Sequence, residues 1–208
     1  MMRLLGAGAL ALAIGALALT APHAYSAAGD VEEKPKTYKP PTKAEIEEAK
    51  KVGKYQVFIK TSRGRLMLEL DGKAAPLHVA NFVKLANAKF YDGLTFHRVE
   101  PGFVVQTGDP KGDGTGGPGY TIKAEQSPLR HNAAGMVGMA RRPDPNSAGS
   151  QWYITLKAAQ WLNQGGRDPG YVVFGKVVEG MDVVKEIKKG DRVISVFAKP
   201  KPKPKPAK

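Results

Sequence analysis

The chain has 208 residues, 32 Lys and Arg against 19 Asp and Glu, a formal charge of +13, and no cysteine. Without cysteine no disulfide can form, so an apolar core has to carry the fold. The basic excess is spread rather than gathered with stacking aromatics on one segment: residues 54–198 hold 20 basic and 13 acidic residues, and the last ten residues add five lysines. This argues against a nucleic-acid partner and suits solubility or weak attraction to anionic material.

The N-terminus reads as a secretory signal peptide over residues 1–28. Arg3 supplies the positive start, Leu4 to Leu19 are almost wholly apolar, and Ala24, Ser26, Ala27 and Ala28 offer small residues for cleavage. The apolar run is shorter than the roughly 20 residues a spanning helix needs, so the expectation is cleavage, no lasting membrane span, and a periplasmic or secreted chain. Residues 29–53 carry six acidic and six basic residues with Pro35, Pro40 and Pro41, and read as a linker. Inside it, Thr42 and Glu45 form a capping-box pattern that predicts a marginal helix over 42–51, with Ile46 as its one strongly apolar residue.

Residues 54–198 are long enough for one self-supporting domain. Tyr55, Val57 and Ile59 alternate with polar neighbours, as do Leu66, Leu68 and Leu70, and Thr61-Ser62-Arg63-Gly64 between them predicts a hairpin. Val79, Phe82, Val83, Ala86 and Phe90 share a helical face behind Pro76. Short apolar runs follow at 96–99, 103–106, 135–140, 152–155, 171–177 and 193–197, separated by Gly, Pro and Asp. A second short helix runs from Met181 to about Lys189 and stops at Gly190. About eight short strands with two helices predict a mainly β fold, antiparallel, either barrel or sandwich. The last ten residues, 199–208, alternate lysine and proline, a pattern that forbids helix and strand pairing and predicts a disordered, extended tail.

Three superficially catalytic patterns fail on context. Gly112, Gly114 and Gly117 match a dinucleotide-loop spacing, but Pro118 and Gly119 follow where a helix is required. Ser147 and Ser150 lack a nucleophile elbow. His78, His97 and His131 have no ligand-like spacing, so no metal site and no cofactor are expected.

The stretch Phe96-His97-Arg98-Val99-Glu100-Pro101-Gly102-Phe103-Val104-Val105-Gln106-Thr107-Gly108-Asp109 places an arginine, a phenylalanine and a glutamine around a Pro-Gly turn. It closely resembles the signature of the cyclophilins, peptidyl-prolyl cis-trans isomerases. So do Gly114-Thr115-Gly116-Gly117, Gly138-Met139-Ala140, Asn146-Ser147-Ala148-Gly149-Ser150-Gln151, Trp161-Leu162 and Val173-Phe174-Gly175-Lys176-Val177, in the same order over about Tyr55 to Phe197. Segments before Ser147 and before Tyr171 resemble bacterial members. The resemblance implies a closed eight-stranded antiparallel β-barrel capped by two α-helices, acting on proline peptides and folding exported proteins as a monomer.

It further implies Arg98 as the catalytic arginine, Gln106 beside the substrate carbonyl, and Phe103 and Leu162 lining a proline pocket with Val104. Ala140 and the backbone of Arg141 match a ledge beside the bound peptide. Trp161 matches the rim position associated with the cyclic inhibitor cyclosporin. Tyr153 stands where many members have a pocket phenylalanine, and Tyr171 where eukaryotic members have a histidine.

Overall fold

The computed structural model describes residues 37–163 and 170–202. The signal sequence, the first part of the linker and the end of the Lys-Pro tail lie outside the described residues.

Strands β1 (Lys54–Thr61) and β2 (Gly64–Asp71) pair as the expected hairpin, each burying every second residue. Its tight end is held by the Thr61 hydroxyl, which donates to the Gly64 carbonyl and accepts from the Arg63 N–H. Strands β3 (Arg98–Glu100), β4 (Val104–Thr107), β5 (Met136–Met139), β6 (Trp152–Thr155), β7 (Val173–Glu179) and β8 (Val193–Pro200) complete one sheet in the order β3-β4-β6-β5-β7-β2-β1-β8, every pair antiparallel. Strand β8 runs to Pro200, past the Ala198 boundary read from the sequence, and the Lys201 N–H bonds to the Lys54 carbonyl.

The sheet curls until its edges meet, but the barrel is not closed by a strand ladder, as the resemblance implied. The seam is one isolated bridge, Thr95 to Arg192, flanked by backbone bonds that join Gly93, Leu94 and Phe96 to Gly190, Asp191 and Val193. Strand β3 has only three residues and starts beyond that seam, so it has no length left to pair with β8.

Among the described residues there are three α-helices, one more than the two expected as caps. The extra one is α1 (Lys43–Val52), lying in the stretch read as linker. Its capping box forms as the Thr42–Glu45 spacing implied. What makes it more than marginal is packing: Ala49 is buried, Ile46 and Val52 lie against the core, and Glu45 also pairs with Lys84 at 3.0 Å. Just before it, the Tyr38 ring meets Phe90 edge-on at 4.9 Å. Thr42→Ala is expected to cost about 1 kcal/mol in chemical denaturation, the usual value of an N-cap.

Helix α2 (Pro76–Asn87) buries Val79, Phe82, Leu85 and Ala86. Its N-cap, Ala75, offers no side-chain acceptor; Glu125 from a distant loop takes the Leu77 and His78 N–H groups at 2.8 Å instead. A carboxylate there satisfies orphan donors and complements the helix dipole. Helix α3 (Met181–Glu186) ends earlier than expected, because Ile187 turns to extended backbone and buries its side chain. In the core, Phe82 contacts Tyr91, Trp152 and Phe174 at 5.0, 5.5 and 5.7 Å between ring centroids.

Candidate active site

Strands β4, β5 and β6 are buried on both faces. One face is core: Val105, Ile154 and Val137 line up across the three strands. Since neighbours along a strand point oppositely, the other face carries the next row. There register aligns Arg98 with Gln106, Gln106 with Tyr153, and Tyr153 with Gly138. Four residues, from Arg98 to Tyr153, 55 positions apart in sequence, thus form one line across the outside of the sheet.

Arg98 is exposed at the end of that line. Its Nη1 donates to Gln106 Oε1 at 3.2 Å, its Nε lies 3.6 Å from a Glu100 carboxylate oxygen, and its guanidinium sits 5.7 Å from the centre of the Phe103 ring. Gln106 is largely buried and passes the contact on, its Nε2 donating to Gln151 Oε1 at 2.9 Å. Gln151 in turn donates to the carbonyls of Gly114 and Gly116. The guanidinium is therefore aimed by a relay of amides anchored in the glycine loop.

Phe103 stacks obliquely on Trp161 at 5.6 Å, and Trp161 is 66 % exposed, which places it on the rim and not in the core. Leu162, next in chain, is half-buried, and its carbonyl accepts the Tyr171 N–H. Tyr171 meets Tyr153 edge-on at 6.2 Å, while the Arg141 guanidinium lies over the Tyr171 ring at 4.6 Å. Tyr153 is 4 % exposed, and its hydroxyl is 2.9 Å from His131 Nε2; His131 Nδ1 reaches Asn163 Oδ1, beside Leu162, at 2.8 Å. Burial pushes the Tyr153 phenol well up and the His131 imidazole down.

These contacts close a ring: Arg98, Phe103, Trp161, Leu162 with Asn163, His131, Tyr153, Gln106 and back to Arg98. Apolar side chains, a buried tyrosine and one aimed cation thus stand together in one constellation. Val104 is buried beneath it, in line with Gln106 on β4. Ala140 is half-buried beyond β5, its N–H held by the Gln151 carbonyl, and the Arg141 side chain is spent on the Gly170, Arg142 and Pro143 carbonyls. Ala140, Arg141, Gln106 and Gln151 also line a groove of about 680 Å³ that they share with the glycine loop.

Every residue the sequence pointed to lies in or beside this constellation. Sequence reasoning missed Gln151, His131 and Asn163. Gln151 stood in a quoted motif; the other two carried no local signal. The Ser147 and Ser150 hydroxyls donate to the Asp144 and Gly108 carbonyls, and the chain runs from the glycine loop to Asp144 without a helix. Among the described residues no cluster of three or more His, Asp or Glu is arranged to hold a metal ion.

Residues 56–206 match the family model described as cyclophilin type peptidyl-prolyl cis-trans isomerase/CLD. Peptidyl-prolyl cis-trans isomerase B of Bacillus subtilis is 47 % identical over 135 residues, covering 64 % of this chain and 90 % of that protein. The peptidyl-prolyl cis-trans isomerase of Helicobacter pylori is 42 % identical over 156 residues, covering 73 % and 91 %. A solved cyclophilin-type isomerase of Cryptosporidium parvum superposes with a TM-score of 0.65 at 29 % identity, covering 72 % of this chain and 99 % of that one. The same protein solved in the presence of the dipeptide Ala-Pro gives 0.62. Sequence motifs, curled antiparallel sheet and relatives agree, and the chain belongs to the cyclophilin-type peptidyl-prolyl cis-trans isomerases.

Proposed function

We propose that this protein speeds cis–trans rotation of X-Pro bonds in exported polypeptides, using a proline pocket and one guanidinium, with no metal and no covalent intermediate. Rotation about an amide costs about 18–20 kcal/mol because resonance stiffens the C–N bond. For X-Pro the two ends of the reaction are close in energy, yet exchange takes tens to hundreds of seconds. A catalyst needs only to bind the twisted amide better than the planar one. Phe103, Leu162 and Tyr153 grip the proline ring. In the twisted amide the proline nitrogen gains a usable lone pair, and Arg98 donates to it, or to the carbonyl region, more strongly than in the planar state. Gln106 orients both the guanidinium and the peptide. The observation that carries this reading is the aimed Arg98–Gln106 pair at the lip of the pocket. The Ala-Pro dipeptide named with the Cryptosporidium relative suits the same groove.

Export rests on Arg3, the apolar run to Leu19 and the small residues at 24–28. N-terminal sequencing of the protein from a periplasmic fraction is expected to begin near residues 25–29; a cytoplasmic chain that keeps Met1 overturns it. The activity is tested by exchange NMR on an Ala-Pro peptide with catalytic amounts of the mature chain. Faster cis–trans exchange is expected. Binding without faster exchange would make the protein a proline-peptide binding module instead.

A further inference from the structure

The Tyr153 ring is gripped from three directions. An ideal Cβ on Gly138 would lie 2.4 Å from its Cζ and Oη, so the ring rests directly on bare backbone. Tyr171 stands edge-on beside it, and His131 meets its far end with the two ring planes nearly parallel, 16° apart. His131 is fully buried.

The protonation of His131 follows from its partners. One side-chain atom of Asn163 faces both the backbone N–H of His131, at 2.8 Å, and its Nδ1, at 2.8 Å. A backbone N–H can only donate, so the Asn163 atom is the oxygen, and Nδ1 facing the same acceptor carries the hydrogen. The neutral ring then keeps its lone pair on Nε2, where it accepts the Tyr153 O–H. A second proton on Nε2 would put two donors face to face. The phenol hydrogen would have to turn away, into a wall where Gly138 leaves no spare room, and the ring would shift.

We propose that His131 is a positioning residue for the proline pocket: held as the Nδ1–H tautomer by Asn163, it accepts the Tyr153 hydroxyl and fixes the pocket floor, so a second proton on His131 weakens peptide binding. This rests on the proline-peptide reading of the site. The groups facing the pair are Asn163, Tyr171 and two cations, Arg130 next in chain and Arg141 over Tyr171. Burial and Arg130 hold the imidazole pKa below its ordinary value, with the Asn163 bond opposing them. The acidic loss of binding therefore falls below the ordinary histidine range.

The test is imidazole ¹⁵N NMR together with Ala-Pro peptide affinity by calorimetry from pH 8 to pH 5. At pH 8 Nδ1 is expected to be protonated and Nε2 bare. Affinity is expected to fall about fivefold or more as His131 titrates, and peptide binding to lower the histidine pKa by the same coupling. Asn163→Asp, nearly isosteric, puts a carboxylate on Nδ1–H and is expected to move the midpoint up by about one pH unit or more. Protonation on Nε2 in the neutral ring overturns the proposal, as does affinity that stays flat across the Asn163→Asp titration. Neither readout needs turnover: affinity that follows His131 with no isomerisation upholds this role and sinks the enzyme reading, whereas flat affinity with normal turnover does the reverse.

Discussion

Replacing Arg98 with alanine is expected to lower kcat/KM for an X-Pro peptide by at least tenfold, and on the order of 10²–10³ if the guanidinium behaves like other single transition-state donors, worth about 2.7–4 kcal/mol each. The side chain is 45 % exposed and its contact with Glu100 is long, so the fold is expected to keep its stability within about 0.5 kcal/mol. Gln106 is also held by its bond to Gln151, so it is expected to stay in place in the variant. Arg98→Lys is expected to recover little: a point charge lacks the planar fork that bonds Gln106 and the substrate together. Exchange NMR on both variants, with denaturation curves beside them, separates a lost donor from a lost fold. Turnover near that of the unaltered chain in Arg98→Ala would remove the arginine from the mechanism.

One residue before Tyr153, Trp152→Ala is expected to destabilise the domain by about 3–5 kcal/mol, the usual cost of emptying a buried aromatic site. Single domains have only about 5–15 kcal/mol in total, so the denaturation midpoint should drop steeply. The indole is fully buried against Phe82 at 5.5 Å and Tyr91 at 6.2 Å, both edge-on. Its Nε1 is buried without a hydrogen-bond partner. Trp152→Phe is therefore expected to be milder, since it keeps most of the ring and removes a donor left unsatisfied. Because Trp152 faces the core and Tyr153 the pocket, the fraction of Trp152→Phe that stays folded should turn over peptide at a rate close to that of the unaltered chain. Loss of activity out of proportion to loss of fold would mean the two faces of β6 are coupled.

Elements written in short-range pattern were legible before the structure. The two-residue alternation in β1 and β2, Pro76 at the head of α2, and the Thr42–Glu45 box all act within a few positions, where backbone sterics and local hydrogen bonds decide. Tertiary packing then altered their weight. Helix α1 looked marginal because a single apolar residue was counted, whereas the face it buries includes Ala49 and its capping glutamate also reaches Lys84. The barrel seam was overstated, since whether two sheet edges pair depends on strand length and curl, not on composition.

The site divides in the same way. Residue types and spacing between Phe96 and Asp109 determined that one hairpin would carry an arginine, an aromatic ring and an amide, and the resemblance named their roles. Only the tertiary structure decided that Gln106 faces Tyr153, that Tyr153 lies on Gly138, and that Asn163 sets the hydrogen on His131 beneath them. Those contacts join residues up to 47 positions apart, Gln106 to Tyr153. They exist through strand register and sheet curl, and a one-residue slip of β6 against its neighbours would turn Tyr153 to the opposite face.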